Sequence, residues 1–423
     1  MFAKPPPAEP GLFTRNVLLF LAGQNVSLFG SSVVGFAIIW YITLETSSGV
    51  WITLATVCSL LPQVIISLWG GVWADRYNRK LLIMVTDGFI ALATLGLAVA
   101  FWAGFRSLEM LLAISAVRSL GAGIQTPAVN AIFPQLVPRE GLARIQGINQ
   151  TLNSIFMLLA PAAGGAVLAF MDISWAFLID VVTAAAAILI TAFIRVKKIE
   201  RASVHDSFFA DLREGIVYAF RHPLLIRIIA CYACSFFLFV PAGILTPLQI
   251  GRSFGGGVWR LTANEIVWTV GSLAGGVFMS LYGNFKDKPK IISLCLAAFG
   301  TAFGCLGMAG SFPVFLAIMA VAGFFFPVIA TTQTVFIQEI TQPAMMGRVF
   351  SIIQIVSAGA MPFGILFFGP MADIVSVESI LIVSGILLVL VGALYYRSNR
   401  NIAIPYSGEP FAENSVTPPK KND

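Results

Sequence analysis

The sequence predicts an all-α integral membrane protein whose twelve transmembrane helices form two six-helix bundles, and three observations support this fold class. Hydrophobic residues make up 58% of the chain and charged residues only 11%, whereas about a quarter of the residues in soluble domains are charged. Apolar runs near the length of about 20 residues that spans a bilayer recur along the whole chain. A sequence echo between the two halves indicates a repeated bundle.

The apolar runs define twelve predicted spans. We interpret them as helices because a lipid-exposed backbone must satisfy its own hydrogen bonds, and because the runs lack the alternation of a membrane β-barrel. The spans cover residues 17 to 41, 51 to 73, 82 to 103, 109 to 132, 145 to 171, 175 to 194, 225 to 249, 263 to 283, 290 to 309, 313 to 337, 348 to 372 and 378 to 397.

The positions of Lys and Arg predict the orientation of these spans. If the N-terminus is cytoplasmic, 22 of the 26 basic residues fall in cytoplasmic segments, and Arg118 lies inside a span. This bias follows the positive-inside rule and places both termini in the cytoplasm. The net charge of +6 is then a consequence of topology, with membrane lipid headgroups as its partner and no nucleic acid.

Polar segments divide the chain into domains. A cytoplasmic linker, residues 195 to 224, separates a bundle at 17 to 194 from a bundle at 225 to 397, with cytoplasmic tails at 1 to 16 and 398 to 423. The second tail has the composition of a disordered segment. Apolar residues at helical spacing within the linker suit an amphipathic helix on the membrane surface, and they also suit a plain structural linker. They are Phe209, Leu212, Ile216 and Phe220.

The two predicted bundles echo each other. The sequence "ARIQGINQ", residues 143 to 150, opens the fifth span as "GRVFSIIQ", residues 347 to 354, opens the eleventh. Arg and Gln are in register, and a Pro and a Gly follow in both spans. A repeated helical bundle with a central seam is a common plan for transporters.

The stretch "GGVWADRYNRKLL", residues 70 to 82, gathers charges between two apolar spans. Its patterned residues are Gly71, Asp75, Arg76, Arg79 and Lys80. The pattern resembles the signature loop of the major facilitator superfamily, with Asn78 at the usual second Gly, and Asn tolerates a left-handed turn. We expect Asp75 to face the positive N-terminus of the helix that begins near Gly347, which would make the loop a cytoplasmic latch between the halves. The alternative, positive-inside anchoring, explains the basic residues but not Asp75.

Three further stretches narrow the resemblance. They are "AGQNVSLFGSSVVGFAIIWYITLETSS" in the first span, "RSLGAGIQTPAVNA" in the fourth span and "DLREGIVYAFRHP" in the linker. They resemble the drug and proton antiporter branch of this superfamily, which includes macrolide efflux proteins, and the likeness covers the chain except its tails. The resemblance implies a two-bundle fold in a bacterial inner membrane, alternating access, and export of small amphiphilic substrates coupled to proton entry.

Arg118 is the one basic residue deep in a span, about 13 Å from the outer end at 1.5 Å per residue. A charge at this depth costs on the order of 3 kcal/mol and usually faces a cavity and a partner. It matches the family's Arg in the fourth helix, which the resemblance links to proton movement. A structural tether to carbonyls or amides is the alternative.

The fifth span carries "GINQTLNSIFMLLAPAAGG". The residues that match the family's antiporter motif are Gly147, Pro161, Gly164 and Gly165. Phe156 and Ala160 stand where the motif has Gly. Pro removes a backbone donor and kinks a helix, and small residues admit a close neighbour. We expect this helix to seal one face against leak, although plain Gly-mediated packing gives the same pattern.

Proton coupling requires groups that change protonation. Histidine is excluded as a relay inside the membrane because His205 and His222 both lie in the linker. Asp180 and Glu265 are the best candidates, because each lies inside the outer end of a span, where burial perturbs a carboxyl group. A structural role is the alternative for either one. Asp87 lies toward the cytoplasmic side, and we expect it to join the latch charges.

Amide side chains in the spans are candidates to line a central cavity for bulky amphiphiles, together with Phe and Met side chains. Taken singly, each is more often an interhelical hydrogen bond than a ligand contact. The candidates are Gln24, Asn25, Gln125, Asn130, Asn149, Asn153, Gln333 and Gln354.

The motifs favour a secondary transporter over an enzyme. The sequence contains no phosphate-binding GxxxxGK[ST] loop, no metal-ligand cluster and no nucleophile triad, so we expect no cofactor, no metal and no nucleotide partner. Two alternatives stay open. One is an exporter of a siderophore or a lysolipid on the same fold, and the other is a transport-inactive membrane sensor or scaffold.

Overall fold

The protein is described from a computed structural model, which covers residues 14–137, 142–194, 217–218, 220–255, 257–282, 285, 287–341 and 345–399. The predicted helix of the linker falls on Phe209, Leu212 and Ile216, which lie outside the described residues. Most of both predicted tails also lies outside them.

The described residues form thirteen α-helices. They are α1 Arg15–Thr46, α2 Gly49–Arg76, α3 Arg79–Trp102, α4 Leu108–Leu136, α5 Leu142–Phe170, α6 Ser174–Ala192, α7 Pro223–Ile244, α8 Thr246–Ser253, α9 Val258–Tyr282, α10 Lys288–Leu306, α11 Phe312–Ile340, α12 Met346–Ile374 and α13 Val377–Asn399.

These helices confirm the predicted spans to within a few residues at each end, with one difference. The seventh span is broken at Leu245 into α7 and the short α8. Pro247 occupies the first turn of α8, a position where the missing N–H of proline has no intrahelical partner to lose. In the described part of the chain, eleven helical segments are long and apolar enough to cross a membrane, and α12 carries the apolar segment Gly359–Ile374.

The helices pack as two bundles. In the first bundle α1 contacts α5 and α6, α2 contacts α4, and α3 contacts both α4 and α6. In the second bundle α7 contacts α12 and α13, α9 contacts α11, and α10 contacts α11 and α13. The α7–α8 pair makes one crossing, so the start of α1 and the end of α13 lie at one face of the molecule, the terminal face.

The bundles meet mainly through α2 with α12 and α5 with α9. Close contacts in both pairs lie at the face opposite the termini. A Cβ atom at Gly369 would overlap the Thr53 hydroxyl, and one at Gly165 would overlap the Thr262 hydroxyl. Glycine at these two positions therefore allows the backbones of opposing bundles to approach. We call this contact region the opposite-face seam.

Candidate functional site

A cavity of about 430 Å³ lies in the first bundle and is lined by α1, α2, α3, α4 and α5. Its lining runs along α4 from Ser115, in the half of the helix farther from the terminal face, to Asn130, near the terminal-face end. Amides, hydroxyls and aliphatic groups make up the described lining, and Arg118 is its one charged side chain. The volume falls in the range of about 300–1,000 Å³ that is usual for small-molecule pockets.

The structure brings most of the predicted cavity residues together. The amide side chains that line the cavity are Gln24, Gln125, Asn130, Asn149 and Asn153. Asn25 lies behind this wall, is 2% exposed, and donates to Asn149 Oδ1 at 3.2 Å and to the Leu21 carbonyl at 2.8 Å. Its role is therefore an interhelical hydrogen bond that orients Asn149.

Two predicted cavity residues are placed elsewhere. Gln333 lies in the second bundle, where it lines a small pocket with Phe239 and Phe326. The side chain of Gln354 is outside the described residues. The cavity wall that the structure describes is thus made by the first bundle, and Gln333 does not reach it.

Arg118 and Asp180 form an ion pair between α4 and α6. Arg118 Nη1 donates to Asp180 Oδ2 and to Thr94 Oγ1, and the Arg118 and Asp180 side chains are 11% and 1% exposed. Ser31 donates to Asp180 Oδ1 at 2.9 Å, and Thr94 donates to Oδ2 at 3.1 Å. Two of the predicted coupling residues are therefore direct partners, and the cation of the pair faces the cavity.

Glu265 is separate from this pair. It lies in the second turn of α9 in the second bundle and is partly buried. Its helix packs against α5 of the first bundle. Among the described residues, no Lys or Arg forms an ion pair with Glu265. Glu265 thus lies near the region where the two bundles meet.

Asp87 was assigned to the latch charges by its position in the sequence, and the structure places it elsewhere. The side chain is 2% exposed in the core of the first bundle. Ser27 Oγ and Gln125 Nε2 donate to Asp87 Oδ1 at 2.8 and 2.7 Å. The prediction was wrong because depth along α3 says nothing about which face of the helix carries the side chain. Its signal in the sequence is an acid five residues inside the predicted span 82 to 103, because ionisable groups inside a span usually have a function.

The opposite-face seam carries a group of hydrogen bonds between the bundles. The Asp373 carboxylate, at the end of α12, accepts from the backbone N–H groups of Gly49 and Val50 at 2.7 and 2.9 Å and from Ser48 Oγ at 2.8 Å. It therefore caps the positive N-terminus of α2 from the other bundle. Arg252 of α8 extends the group, because it pairs with Asp373 at 2.8 Å and donates to the Ser47 carbonyl.

The signature loop joins α2 to α3 at the terminal face. Arg79 donates to the carbonyls of Ala74 and Ala131, at 2.9 and 2.7 Å. Lys80 donates to the carbonyls of Ala192 and Ile194, at 2.7 and 2.9 Å. Both basic side chains therefore bind carbonyls of their own bundle, the second set at the C-terminal end of α6.

The other loop residues are placed as follows. Gly71 has open space around its Cα, Arg76 is exposed, and the side chains of Asp75 and of the first residues of α12 are outside the described residues. Asn78 has φ −67°, so the prediction of a left-handed turn at this residue was wrong. Asn78 is instead the N-cap of α3, accepting from the Leu81 N–H at 3.3 Å. Asn is a preferred residue at that position.

The helix with the antiporter pattern is α5. Pro161 is buried inside it, and Gly165 meets Thr262 at the opposite-face seam, as described above. A Cβ atom at Gly164 would lie 3.3 Å from the Val33 carbonyl of α1, so this glycine packs within its own bundle. Gly147 has nothing nearby. Of the three glycines, Gly165 therefore lies at the contact between the bundles, Gly164 packs against α1, and Gly147 has no close neighbour.

Asp172 and Arg106 form an ion pair between loops of the opposite face, with Nη2 and Oδ2 2.6 Å apart. Burial alone would raise the pKa of Asp172, but the Ser174 hydroxyl and amide and the Arg106 guanidinium outweigh it and lower that pKa. Asp172 is a carboxylate outside the cavity and the seam, which makes it a matched control for the buried acids.

Comparisons with known proteins agree with this architecture. The sequence profile of the Major Facilitator Superfamily matches residues 20–365. The chain is 30% identical to Macrolide efflux protein A of Streptococcus pyogenes, over 88% of this chain and 92% of that protein. It is 22% identical to the Staphyloferrin A transporter of Staphylococcus aureus, over 93% and 96% of the two chains.

A solved structure has the same fold at low sequence identity. It is a bacterial homolog of the human lysosomal transporter Spinster in an inward-facing and unoccupied conformation, with a TM-score of 0.65 and 15% identity over 91% of this chain and 96% of that one.

Proposed function

We propose, from the premise that this chain belongs to the major facilitator superfamily, that it is a secondary active exporter of amphiphilic small molecules of the macrolide type. The observation that carries the proposal is the 30% identity to a macrolide efflux protein over nearly the whole of both chains. The chain is a multi-pass membrane transporter of this family. Its substrate, its transport direction and its driving ion are the proposed part.

The cavity suits a bulky amphiphile. Its polar lining consists of neutral amides and hydroxyls, and the charge of Arg118 is balanced by Asp180. Among the described residues, Gln24 Nε2 is a buried donor with no hydrogen-bond partner. Buried polar groups normally have partners, so this amide is available to bind an acceptor on the substrate, while the aliphatic wall covers its apolar surface.

Alternating access would use the two ends of the bundle interface in turn. The terminal face, to which the cavity extends, is proposed to be cytoplasmic, in accord with the basic residues there, and the membrane to be a bacterial inner membrane. The opposite-face seam then closes the outside, and α5, with Gly147, Pro161, Gly164 and Gly165, is proposed to prevent leak. In the outward-open state the latch of Gly71, Asp75, Arg76, Arg79 and Lys80 is proposed to close the cytoplasmic side.

Proton entry is proposed as the driving force. Arg118 would stabilise charged Asp180, and a proton on either Asp180 or Glu265 would change the charge balance of the interface during the cycle. Transport by both the Asp180→Asn and Glu265→Gln variants that stays fully sensitive to a proton uncoupler would contradict these assignments. The Asp172→Asn variant controls for general loss of a carboxylate.

Siderophore export is a second candidate. The likeness to a staphyloferrin A transporter over 93% of this chain favours it. It shares the fold and the access mechanism with macrolide export, so the two candidates differ in the substrate alone.

The test is retention of labelled substrate in efflux-deficient bacteria that express the full chain. Macrolide, siderophore and lysolipid are compared with and without an uncoupler. The proposal predicts that the protein lowers macrolide retention and that the uncoupler abolishes this effect. Lower retention of the siderophore or lysolipid alone would move the substrate assignment, and no change for any compound would overturn the export proposal.

A further inference from the structure

Asp87 combines burial in the first bundle with an unpartnered carboxylate oxygen. The side chain lies between α1 and α4 and is 2% exposed. Both of its described hydrogen bonds, from Ser27 and Gln125, go to Oδ1. Oδ2 is buried and has no hydrogen-bond partner in the described part of the chain. A buried polar atom without a partner calls for an explanation, and proton binding is one that its chemistry allows.

Asp87 also lacks a cation. No Lys or Arg of the described residues forms an ion pair with it, because the one basic side chain of the bundle core, Arg118, is paired with Asp180. The other charged residues of α1, α2, α3 and α4 lie toward the helix ends, and they are Arg15, Glu45, Asp75, Arg76, Arg79, Lys80 and Glu109. An uncompensated charge in a membrane bundle is costly, so a group that can take up a proton fits this position better than a permanently charged one.

Asp87 of α3 and Asp180 of α6 contact the same two helices, α1 and α4, at neighbouring heights in the bundle. On α1, Ser27 contacts Asp87 and Ser31 contacts Asp180. Residues four apart are separated by about 6 Å along a helix. Gln125 and Arg118 of α4 contact the same two acids, and seven residues span about 10 Å. A change of charge at one level therefore acts on the helices that hold the other.

The cavity lies next to Asp87, behind two of its lining residues. Ser27 and Gln125, the two residues that donate to Oδ1, both belong to the cavity wall. A shift of either side chain would open the carboxyl group to the cavity.

We propose that Asp87 is a proton-binding site of the transport cycle. In the step, its free Oδ2 takes up a proton from solution that has entered the cavity, the carboxylate becomes a neutral carboxylic acid, and no other bond changes. The step reverses when the proton leaves the carboxylic acid and returns to solution in the cavity. The inference rests on the proposed proton-coupled export and adds a site to it that precedes the Arg118–Asp180 pair on the path from the terminal face.

The experiment is infrared difference spectroscopy of the full chain in lipid nanodiscs, titrated over a range of pH. The carboxylic acid C=O band reports protonation directly and needs no substrate. We expect the wild type to show a titrating band that Asp87→Asn lacks and that Asp172→Asn keeps. Retention of every titrating carboxyl band in Asp87→Asn would overturn the proposal, whether or not the protein proves to be a macrolide exporter.

A second variant covers poor folding of Asp87→Asn. Ser27→Ala removes one donor to Oδ1 and leaves the acid, so it should shift the pH at which the band appears, and an unshifted band would contradict the assignment.

Discussion

The cores of the two bundles differ in kind. The first bundle buries an ion pair, Arg118 with Asp180, and a second acid, Asp87, among serine, threonine and amide side chains. The second bundle is an aromatic network in which Phe239 stacks on Phe299 and Phe326 at ring distances of 5.8 and 5.3 Å. Similar bundles thus have different cores, because the first buries charged and polar side chains and the second is packed with aromatic rings.

The largest effect is expected from a substitution that breaks the ion pair in the polar core of the first bundle. Arg118→Ala leaves the Asp180 carboxylate buried without a cation, which costs about 3–5 kcal/mol in comparable pairs. We expect loss of transport and a lower melting temperature in detergent.

The double variant Arg118→Ala with Asp180→Asn removes the uncompensated charge and should recover the melting temperature without recovering transport. If the double variant transports with uncoupler sensitivity, the pair is only a structural tether, and the contrast between the bundles loses its meaning.

The matched change in the aromatic core is Phe303→Ala. Phe303 is fully buried, with its ring 4.4 Å from that of Phe299. Lipid surrounds the separated helices with apolar groups, so the substitution loses packing contacts but little hydrophobic transfer energy. We therefore expect the free energy of unfolding to fall by about 2 kcal/mol. We expect lower thermal stability and an unchanged pH dependence of residual transport. A displaced pH profile would show that the second core takes part in coupling.

A smaller effect is expected where the bundles join. Asp373→Asn keeps the shape of the side chain but removes the charge that caps α2, and for a carboxylate that is 27% exposed we expect a loss of about 1 kcal/mol. The reporter is Gly35→Cys in a background without native cysteines, because Gly35 lines the cavity and has room for a side chain. Its labelling by an impermeant thiol reagent from outside should rise several-fold. Equal labelling in Asp373→Asn and in the control Asp172→Asn would mean that the seam is held by packing alone.

The smallest effect concerns a more exposed ion pair of the second bundle. Lys288 Nζ lies 2.9 Å from Glu339 Oε1, but Glu339 is 51% exposed. Exposed ion pairs contribute about 0–1 kcal/mol, so Glu339→Gln should leave the melting temperature and transport nearly unchanged. A loss of proton coupling in this variant would show that this exposed acid also takes part in coupling.

The sequence was sufficient to predict the membrane spans, but it was insufficient to predict which side chains pair between helices. Helix positions follow from the length and hydropathy of each apolar run, which are local properties. The pairing of Arg118 with Asp180 joins residues on different helices, and it depends on the packing of α3 against both α4 and α6. Asp87 was misplaced for the same reason.

Two further features were not predicted from the sequence. The left-handed turn expected at Asn78 gave way to an N-cap, because Asn suits both roles and the start of α3 decided between them. The bonds of Asp373 to the start of α2 connect residues more than three hundred positions apart, and the motif that was recognised, Asp75 in the signature loop, lies at the other end of the same helix.

The most direct test of proton-coupled export is transport of labelled macrolide in proteoliposomes with an imposed pH gradient. The account predicts that wild-type protein accumulates macrolide against its concentration gradient only when the pH gradient is present, that Asp180→Asn loses this accumulation, and that Glu339→Gln keeps it. Equal macrolide movement with and without the gradient in the wild type would contradict the account.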